Sequence, residues 1–88
     1  MEIKQDGKRF VAFEGDKELG EVTFVNAGED KIIIDHTGVK PEYEGRGVGG
    51  ALVKAALDYA KAEGIKVIPL CPFAKRYVER HLEYQSLI

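Results

Sequence analysis

A run of four glycines lies immediately before the strongest helical pattern of the chain. Gly45, Gly47, Gly49 and Gly50 fall within G-R-G-V-G-G, and an alanine-rich amphipathic stretch follows. The first turn of a helix leaves backbone N–H groups unpaired, and the helix dipole makes that end positive. Glycines allow an anion to approach these groups closely, because no Cβ stands in the way. The segment is therefore predicted to cradle a phosphate, with a charge-assisted contact from Arg46.

A tight strand-to-helix turn with close packing would also use glycines, and this simpler interpretation stays open. A nucleotide P-loop fits poorly, because it ends in Gly-Lys-Ser/Thr whereas Ala51 and Leu52 follow Gly50 here. A dinucleotide fingerprint belongs after the first strand of a parallel sheet, and the segments before Gly45 predict an antiparallel one. The sequence thus favours an anion site that is neither of these two nucleotide motifs.

Cys71 is the only cysteine, and it directly precedes Pro72, a residue type preferred at the first position of a helix. A helix N-terminus lowers a thiol pKa, and Lys75 and Arg76 lie one turn further on. A thiolate there could act as a covalent nucleophile, with His36 as its base if the two strand ends are level. Two other interpretations stay open: a buried apolar cysteine, and a histidine that is merely packed or at the surface.

The elements that must position these residues begin with four predicted strands. Apolar and β-branched runs separated by turn signals predict these strands at Met1–Gln5, Arg9–Glu14, Glu18–Asn26 and Lys31–Val39. The turns fall at Asp6-Gly7, Gly15-Asp16 and Ala27–Asp30. Such short connections predict an antiparallel meander.

Side-chain alternation assigns faces to the two longest strands. In the third strand it places Val22 and Phe24 on one face and Leu19 on the other. In the fourth strand it predicts that Ile32, Ile34 and His36 share one face, and that Ile33, Asp35 and Thr37 share the other. The three consecutive isoleucines further predict that both faces are covered at that end.

The second half of the chain predicts a helix, a strand and a helix. Apolar residues recur at helical spacing from Val48 to Ala60, and Gly64 ends that helix. Residues 65–71 predict a buried strand in which Pro69 implies an edge or a bulge. A last helix starts at Pro72, and a core stripe along it is predicted from Phe73, Tyr77, His81 and Tyr84.

The order β-β-β-β-α-β-α describes an α+β fold with one α/β-type crossover. A right-handed crossover places the last strand parallel to the strand at Lys31–Val39. The length of 88 residues predicts a single domain over residues 1–88 with one modest core.

Charge and cysteine content exclude several classes of function. With 13 Lys and Arg against 15 Asp and Glu, the net charge of −2 argues against a nucleic-acid binder. One cysteine and two distant histidines predict no metal site. The N-terminus has no apolar leader and no apolar run would span a membrane, which predicts a cytoplasmic protein without a membrane partner.

Residues 39–52, V-K-P-E-Y-E-G-R-G-V-G-G-A-L, resemble the acetyl-CoA-binding motif of the GNAT superfamily of N-acyltransferases. Pro41 and Tyr43 match the Pro-x-Tyr/Phe element, and residues 47–49 match the Gly-x-Gly/Ala element that opens the helix. Glu44 departs from the usual Arg or Gln. The H-T-x-V strand end and the Cys-Pro segment resemble a small GNAT-like subfamily. The two helices that usually follow the first strand, and the final β-hairpin, are missing.

The resemblance implies a minimal GNAT fold that transfers acetyl from acetyl-CoA to an amine acceptor that the sequence does not identify. It implies that the CoA pyrophosphate binds Gly45, Arg46, Gly47, Val48, Gly49 and Gly50. A backbone N–H among Thr37, Gly38 and Val39 would polarise the thioester carbonyl.

The resemblance also places Tyr77 where many members carry the tyrosine that protonates the CoA thiolate. A packed core tyrosine is the competing interpretation at that position. For the whole chain, a CoA-binding module without turnover is the main alternative, and an interaction module that binds no ligand is a weaker one. The oligomeric state stays open.

Overall fold

The computed structural model describes residues 1–88 and contains five strands and two α-helices. In chain order these are β1 (Glu2–Gln5), β2 (Arg9–Glu14), β3 (Lys17–Asn26), β4 (Lys31–Val39), α1 (Val48–Glu63), β5 (Lys66–Pro69) and α2 (Pro72–Arg80). Short 3-10 helices at Pro41–Tyr43 and Leu82–Leu87 precede α1 and follow α2. The predicted α+β order is therefore confirmed.

The five strands form one sheet in the order β1-β2-β3-β4-β5. Neighbours from β1 to β4 pair antiparallel, and β5 pairs parallel to β4, as the crossover predicted. Pro69 lies on an edge strand, where no ladder hydrogen bond is lost on its outer side. The prediction of a fully buried strand was wrong, because Val67 is buried while Ile68 is exposed.

Both α-helices pack on the same face of the sheet. Their apolar side chains join those of β2 to β5 in one cluster of 19 buried residues, which includes Leu52, Val78 and Ile34. No helix covers the other face, where Ile33 is only half-buried and Val25 is exposed. The expectation that the isoleucine run is covered on both faces is therefore wrong. We call this second surface the uncovered face.

Two β-bulges reverse the predicted side-chain phase. Leu19 is the extra residue where β3 pairs with β2, and it turns into the core with Val22 instead of facing away. Asp35 is the extra residue where β4 pairs with β3, because Thr23 pairs with His36 but Phe24 pairs with Ile34. A bulge places two residues opposite one and so shifts the alternation by one position.

The core stripe predicted for the last helix is confirmed only in part, because Tyr84 belongs to the core cluster and Tyr77 packs against it, but Phe73 does not. The helix α2 ends at Arg80, and its buried residues are Ala74 and Val78. Phe73 is 44% exposed. Tyr84 is buried, but it lies in the following 3-10 helix, where its hydroxyl donates to Asp58 Oδ1 on α1 at 2.7 Å. Neither α-helix has the length and the apolar character needed to cross a membrane.

Candidate functional site

The connection between β4 and α1 presents a run of unpaired backbone donors. No hydrogen bond within the chain uses the N–H groups of residues 45–50, and the first helical bond is donated by Ala51 to Gly47 O at 3.1 Å. No side chain caps the helix and no acidic residue lies in its first turn. Six consecutive donors at a positive helix end form a surface suited to an anion.

Glycines in this loop serve two different structural needs. Gly45 and Gly47 have φ angles of 81° and 79°, a left-handed conformation that glycine adopts without a steric cost. Gly49 lies under the Phe73 ring, whose nearest carbon would be 2.7 Å from a Cβ at that position. Gly50 has a normal φ, and Tyr77 would lie 3.5 Å from its Cβ. The backbone conformation therefore favours glycine at positions 45 and 47, Gly49 leaves room for the Phe73 ring, and nothing in the fold calls for glycine at position 50.

Arg46 of the loop contacts two side chains, those of Glu14 on β2 and Tyr43. Arg46 donates to Glu14 Oε2 at 2.7 Å, and its guanidinium lies 5.5 Å from the centre of the Tyr43 ring. Both charged side chains of this pair are about half exposed, so the ion pair adds little stability and exchanges easily for another anion. Glu44, the departure from the usual motif, donates its N–H to Pro41 O at 3.3 Å.

The strand β4 is paired with β5 along only part of its length. The parallel register ends at Ile34 and Pro69, and the N–H groups of Leu70 and Cys71 both donate to Ile34 O. From Asp35 onwards β4 pairs only with β3. A gap therefore opens between the end of β4 and the start of α2, next to the unpaired donors of the loop.

The backbone direction along β4 determines which amides face this gap. Lys40 donates its N–H to Leu19 O on β3 at 2.9 Å. Because N–H directions alternate along an antiparallel strand, Gly38 also faces β3, whereas Thr37 and Val39 face away from it. The Thr37 amide lies beside the Cys71 thiol, and the Val39 amide has no partner within the chain.

The thiol of Cys71 lies at the mouth of the gap. Its Sγ is 3.6 Å from Thr37 Oγ1, and the residue is 8% exposed. Burial raises the pKa of Cys71, but hydrogen bonds from the Ala74 amide, Thr37 and the Phe73 amide outweigh burial, and the pKa lies below its usual value. These amides belong to the first turn of α2. The cationic side chains of Lys75 and Arg76, which the sequence suggested, are not the cause.

The structure does not bring His36 to Cys71. Because of the bulge at Asp35, His36 lies on the uncovered face with Thr23 and Gly38, whereas Thr37 turns toward the helices and Cys71. The ring of His36 lies over Gly38, with Nε2 2.8 Å from where a Cβ at Gly38 would be. The predicted face for His36 is wrong, and the pairing of His36 with Cys71 loses its geometric basis.

Tyr77 lies on α2 beside the start of α1. Its ring is stacked on that of His81 at a centroid distance of 3.8 Å, and the Tyr77 carbonyl lies 2.7 Å from His81 Nδ1. Burial raises the pKa of the Tyr77 phenol, so the hydroxyl keeps its proton at physiological pH. The protonated phenol belongs to a ring that lies beside Gly50, in the first turn of α1.

Two contacts in this region were not predicted from the sequence. The Thr37 hydroxyl contacts Cys71, although only the backbone of Thr37 was considered, and the Phe73 ring covers Gly49, although it was assigned to the core. The first depends on the bulge, for which alternation gives no signal. The second had a weak signal, because an aromatic residue in the first turn of a helix after Pro72 can face a glycine on the neighbouring helix.

A groove of about 260 Å³ lies on the uncovered face beside the end of β4. It is lined by Glu18, Gly20, Glu21, Gly38, Val39 and Lys40. Gly20 is required there, because a Cβ would lie 2.5 Å from the carbonyl oxygen of Gly38. The groove therefore lies over the β3–β4 pair, beside the end of β4.

Comparison with known proteins identifies one family model and several relatives that match this chain. A family model described as GCN5-related N-acetyl-transferase matches residues 9–87. Protein NATD1 of Homo sapiens is 30% identical over 84 residues, which cover 92% of this chain and 74% of that protein. Protein NATD1 of Gallus gallus is 29% identical, with 92% and 76% covered.

Solved structures agree with the sequence comparison. The solution structure of a GCN5-like candidate N-acetyltransferase from Staphylococcus aureus has a TM-score of 0.77 and 38% identity, and the match covers 98% of this chain and 85% of that one. A candidate acetyltransferase from Pyrococcus furiosus has a TM-score of 0.63 and 32% identity, with 83% and 56% covered.

Proposed function

This chain belongs to the GCN5-related N-acetyltransferase family, and we propose that it transfers the acetyl group of acetyl-CoA to an amine. The observation that carries the proposal is the run of six unpaired N–H groups from Gly45 to Gly50, next to the half of β4 that β5 does not pair. The first feature suits the pyrophosphate of CoA and the second suits its amide-bearing pantetheine arm.

The pyrophosphate binds the N–H groups of residues 45–50. Arg46 leaves Glu14 for the incoming phosphate, because both partners are exposed and a phosphate offers a stronger, bidentate contact. Gly47, in its left-handed conformation, directs the donors of Val48 and Gly49 to the same point. This is a binding interaction, and it holds the reactive end of the molecule in a fixed place along β4.

The thioester lies in the gap, where the N–H of Val39 donates to its carbonyl oxygen. The amine lone pair attacks the carbonyl carbon, negative charge develops on that oxygen, and a donor already in place stabilises it. The C–N bond forms and the C–S bond breaks. The amine loses one proton and the departing thiolate gains one, so the overall reaction is balanced.

The proton steps are assigned by position. The acceptor amine arrives from the uncovered face, through the groove over Gly20 and Gly38, because the other face is filled by the core. His36 lies on that face and takes the proton of the amine. Tyr77, whose pKa is raised by burial, keeps its proton and gives it to the CoA thiolate.

Cys71 offers a two-step route through the same site. Its thiolate attacks the thioester, CoA leaves as its thiolate, and the acetyl group is carried on Sγ until the amine attacks. The depressed pKa of Cys71 and its contact with Thr37 support this route. Cys71→Ala decides between the two routes in single-turnover acetyl transfer: a lost reaction supports the covalent route, and an unchanged rate supports direct attack.

A CoA-binding module without turnover is the second candidate. Two observations favour it: no helix covers the face from which an acceptor would approach, and Glu44 replaces the usual Arg or Gln of the motif. Incubation with acetyl-CoA and a panel of polyamines, peptides and small amines separates the two, because a module would bind acetyl-CoA without releasing free CoA.

The site is tested by placing a charge among the loop donors. Gly50→Glu puts a carboxylate in the first turn of α1, where it favours the helix dipole and where no contact prevents a side chain. We expect unchanged or slightly higher stability, but at least about tenfold weaker acetyl-CoA binding in an amide-resolved NMR titration, because two anions then compete for one set of donors.

Gly50→Gln is the matched control, since it has the same size and no charge. It should bind acetyl-CoA within about threefold of the wild-type chain. Shifts of the wild-type amides should centre on residues 37–39 and 46–50. If the wild-type chain shows no saturable shifts at millimolar acetyl-CoA, or if Gly50→Glu binds as well as Gly50→Gln, the phosphate site is not in this loop.

A further inference from the structure

Three polar side chains between α1 and the C-terminal 3-10 helix form a network that has no role in the mechanism described above. Asp58 Oδ2 accepts a hydrogen bond from Lys54 Nζ at 2.8 Å, and Asp58 Oδ1 accepts one from the Tyr84 hydroxyl at 2.7 Å. We propose that Lys54, held in place by this network, stabilises the phenolate that Tyr77 becomes when it gives its proton to the departing thiolate. The inference rests on the proposed function and adds a residue to its proton step.

The network lies on the face of α1 that Tyr77 contacts. Gly50, Lys54 and Asp58 follow one another at intervals of four residues and so form a row along this face. The Tyr77 ring lies against the first of them, 3.5 Å from where a Cβ at Gly50 would be. The Tyr84 hydroxyl binds the last of them, and the centres of the two tyrosine rings are 6.3 Å apart. Lys54 therefore occupies the position in the row between the two that these rings contact.

Tyr84 and Asp58 fix the position of the Lys54 ammonium. Tyr84 is only 4% exposed and belongs to the core cluster, so its hydroxyl has a fixed place beside α1. Burial raises the pKa of the Asp58 carboxyl, but hydrogen bonds from Lys54 and Tyr84 outweigh burial, and the pKa lies below its usual value. Asp58 is therefore ionised at physiological pH, and its carboxylate holds the ammonium on this face of the helix.

The proton step assigned to Tyr77 needs a compensating charge. A phenol has an ordinary pKa of about 10 and an alkyl thiol one of about 8.5, so a phenol that protonates a thiolate gives its proton to a weaker base. Burial raises the pKa of Tyr77 further, which makes this transfer less favourable still. A cation close to the phenolate opposes that effect, because it stabilises the charged form.

Lys54 is the cation that acts on the Tyr77 phenol. Burial has the largest effect on the pKa of Tyr77, the charge of Lys54 lowers that pKa, and the charges of Glu83 and Asp58 raise it. Three further titratable side chains border the ring from α2 and its end without shifting the pKa of the phenol, namely Arg76, Arg80 and His81. The positive charge that favours the phenolate therefore comes from α1.

Two variants of Lys54 test the proposal. Lys54→Met removes the charge and keeps a long side chain, whereas Lys54→Arg keeps the charge. NMR of ring-labelled tyrosine against pH follows the pKa of Tyr77, and Tyr77→Phe identifies its signal. We expect this pKa to rise in Lys54→Met and to stay at the wild-type value in Lys54→Arg.

The same variants are compared in acetyl transfer to the amine that the wild-type chain acetylates fastest. At saturating acetyl-CoA, the single-turnover rate constant should fall at least about threefold in Lys54→Met, because Tyr77 is then a weaker acid. The Kd for acetyl-CoA should not change, since Lys54 contacts no ligand in the proposed site. Lys54→Arg should restore the rate constant.

Lys61→Met is the matched control, because Lys61 lies further along the same helix and its charge acts on Asp58 and not on Tyr77. It should change neither the pKa of Tyr77 nor the rate constant. The pair of Lys54 and Asp58 is about half exposed and adds little stability, so both methionine variants are expected to fold, which their amide spectra check.

An unchanged pKa of Tyr77 in Lys54→Met overturns the inference alone, and so does an unchanged rate constant. Equal effects of Lys54→Met and Lys61→Met also overturn it, because the effect would then come from the net charge of α1. If the wild-type chain acetylates no amine, the proposed function fails and this inference fails with it.

Discussion

The two halves of β4 differ in strand pairing and in burial. From Lys31 to Ile34 the strand is paired with β3 on one side and with β5 on the other, and Ile32 and Ile34 are fully buried. From Asp35 to Val39 it is paired with β3 alone, and no residue of it is fully buried. The first half is part of the core, whereas the second half provides the amides of the proposed site.

The bulge at Asp35 separates the halves and gives each its character. The extra residue turns His36 to the uncovered face and Thr37 toward Cys71. It also directs the amides of Thr37 and Val39 into the gap instead of toward β3. One inserted position thus lets a single strand support the core at one end and leave its β5 side unpaired at the other.

The largest expected difference between the halves is in stability. Ile34→Ala should lower the free energy of unfolding by about 3 kcal/mol in urea denaturation, because it leaves a cavity under α1 and α2, and Ile34→Val by about 1 kcal/mol. Val39→Ala truncates an apolar side chain in the second half, where the site is only half-buried. It should cost less than about 1 kcal/mol.

Equal losses in the free energy of unfolding for Ile34→Ala and Val39→Ala would contradict this difference, because the second half would then support the core as strongly as the first. Amide spectra of both variants check that the sheet is intact. A second check is the acetyl-CoA titration, in which Ile34→Val should bind as the wild-type chain does.

A smaller difference is expected within the second half itself, in native-state amide hydrogen exchange. The amide of Lys40 donates to Leu19 O and that of Gly38 faces β3, so both should be protected. The amide of Val39 faces the gap and should exchange at least about tenfold faster than its two neighbours. Saturating acetyl-CoA should slow Val39 selectively. Three equally protected amides would mean that the gap is closed by backbone pairing.

Much of this arrangement was predictable from the sequence, since local signals point to the same fold. Turn residues and β-branched runs predicted the meander, and the apolar period from Val48 to Ala60 predicted α1. Gly45 and Gly47 were placed correctly at a strand-to-helix loop. The parallel pairing of β5 followed from the handedness of the crossover.

What could not be predicted depends on contacts that are distant in sequence. The bulges at Leu19 and Asp35 exist because of register with a neighbouring strand, so simple alternation assigned Leu19 and His36 to the wrong faces. The end of α2 at Arg80 was missed because the aromatic spacing continues past it, although Tyr84 reaches Asp58 from a 3-10 helix instead. Residues that share a period need not share a helix.

The smallest expected effect concerns the one side chain that links the second half of β4 to α2. Thr37→Val keeps the shape of the side chain but removes the hydroxyl that contacts Cys71 Sγ. The pKa of Cys71, which hydrogen bonds hold below its usual value against the effect of burial, should rise in this variant. Thiolate absorbance at 240 nm against pH measures the shift, with Cys71→Ala as the blank.

The same linkage predicts a pH dependence of stability. A thiol whose pKa is lower in the folded chain than in the unfolded one stabilises the fold fully above the unfolded pKa, about 8.5, and this contribution is lost as the pH falls through the folded pKa. The stability advantage of the wild-type chain over Thr37→Val should therefore grow between about pH 7 and pH 9. An advantage that shrinks over this range would mean that Thr37 stabilises the thiol form of Cys71 and not the thiolate. The covalent route would then lack the thiolate that it needs as a nucleophile.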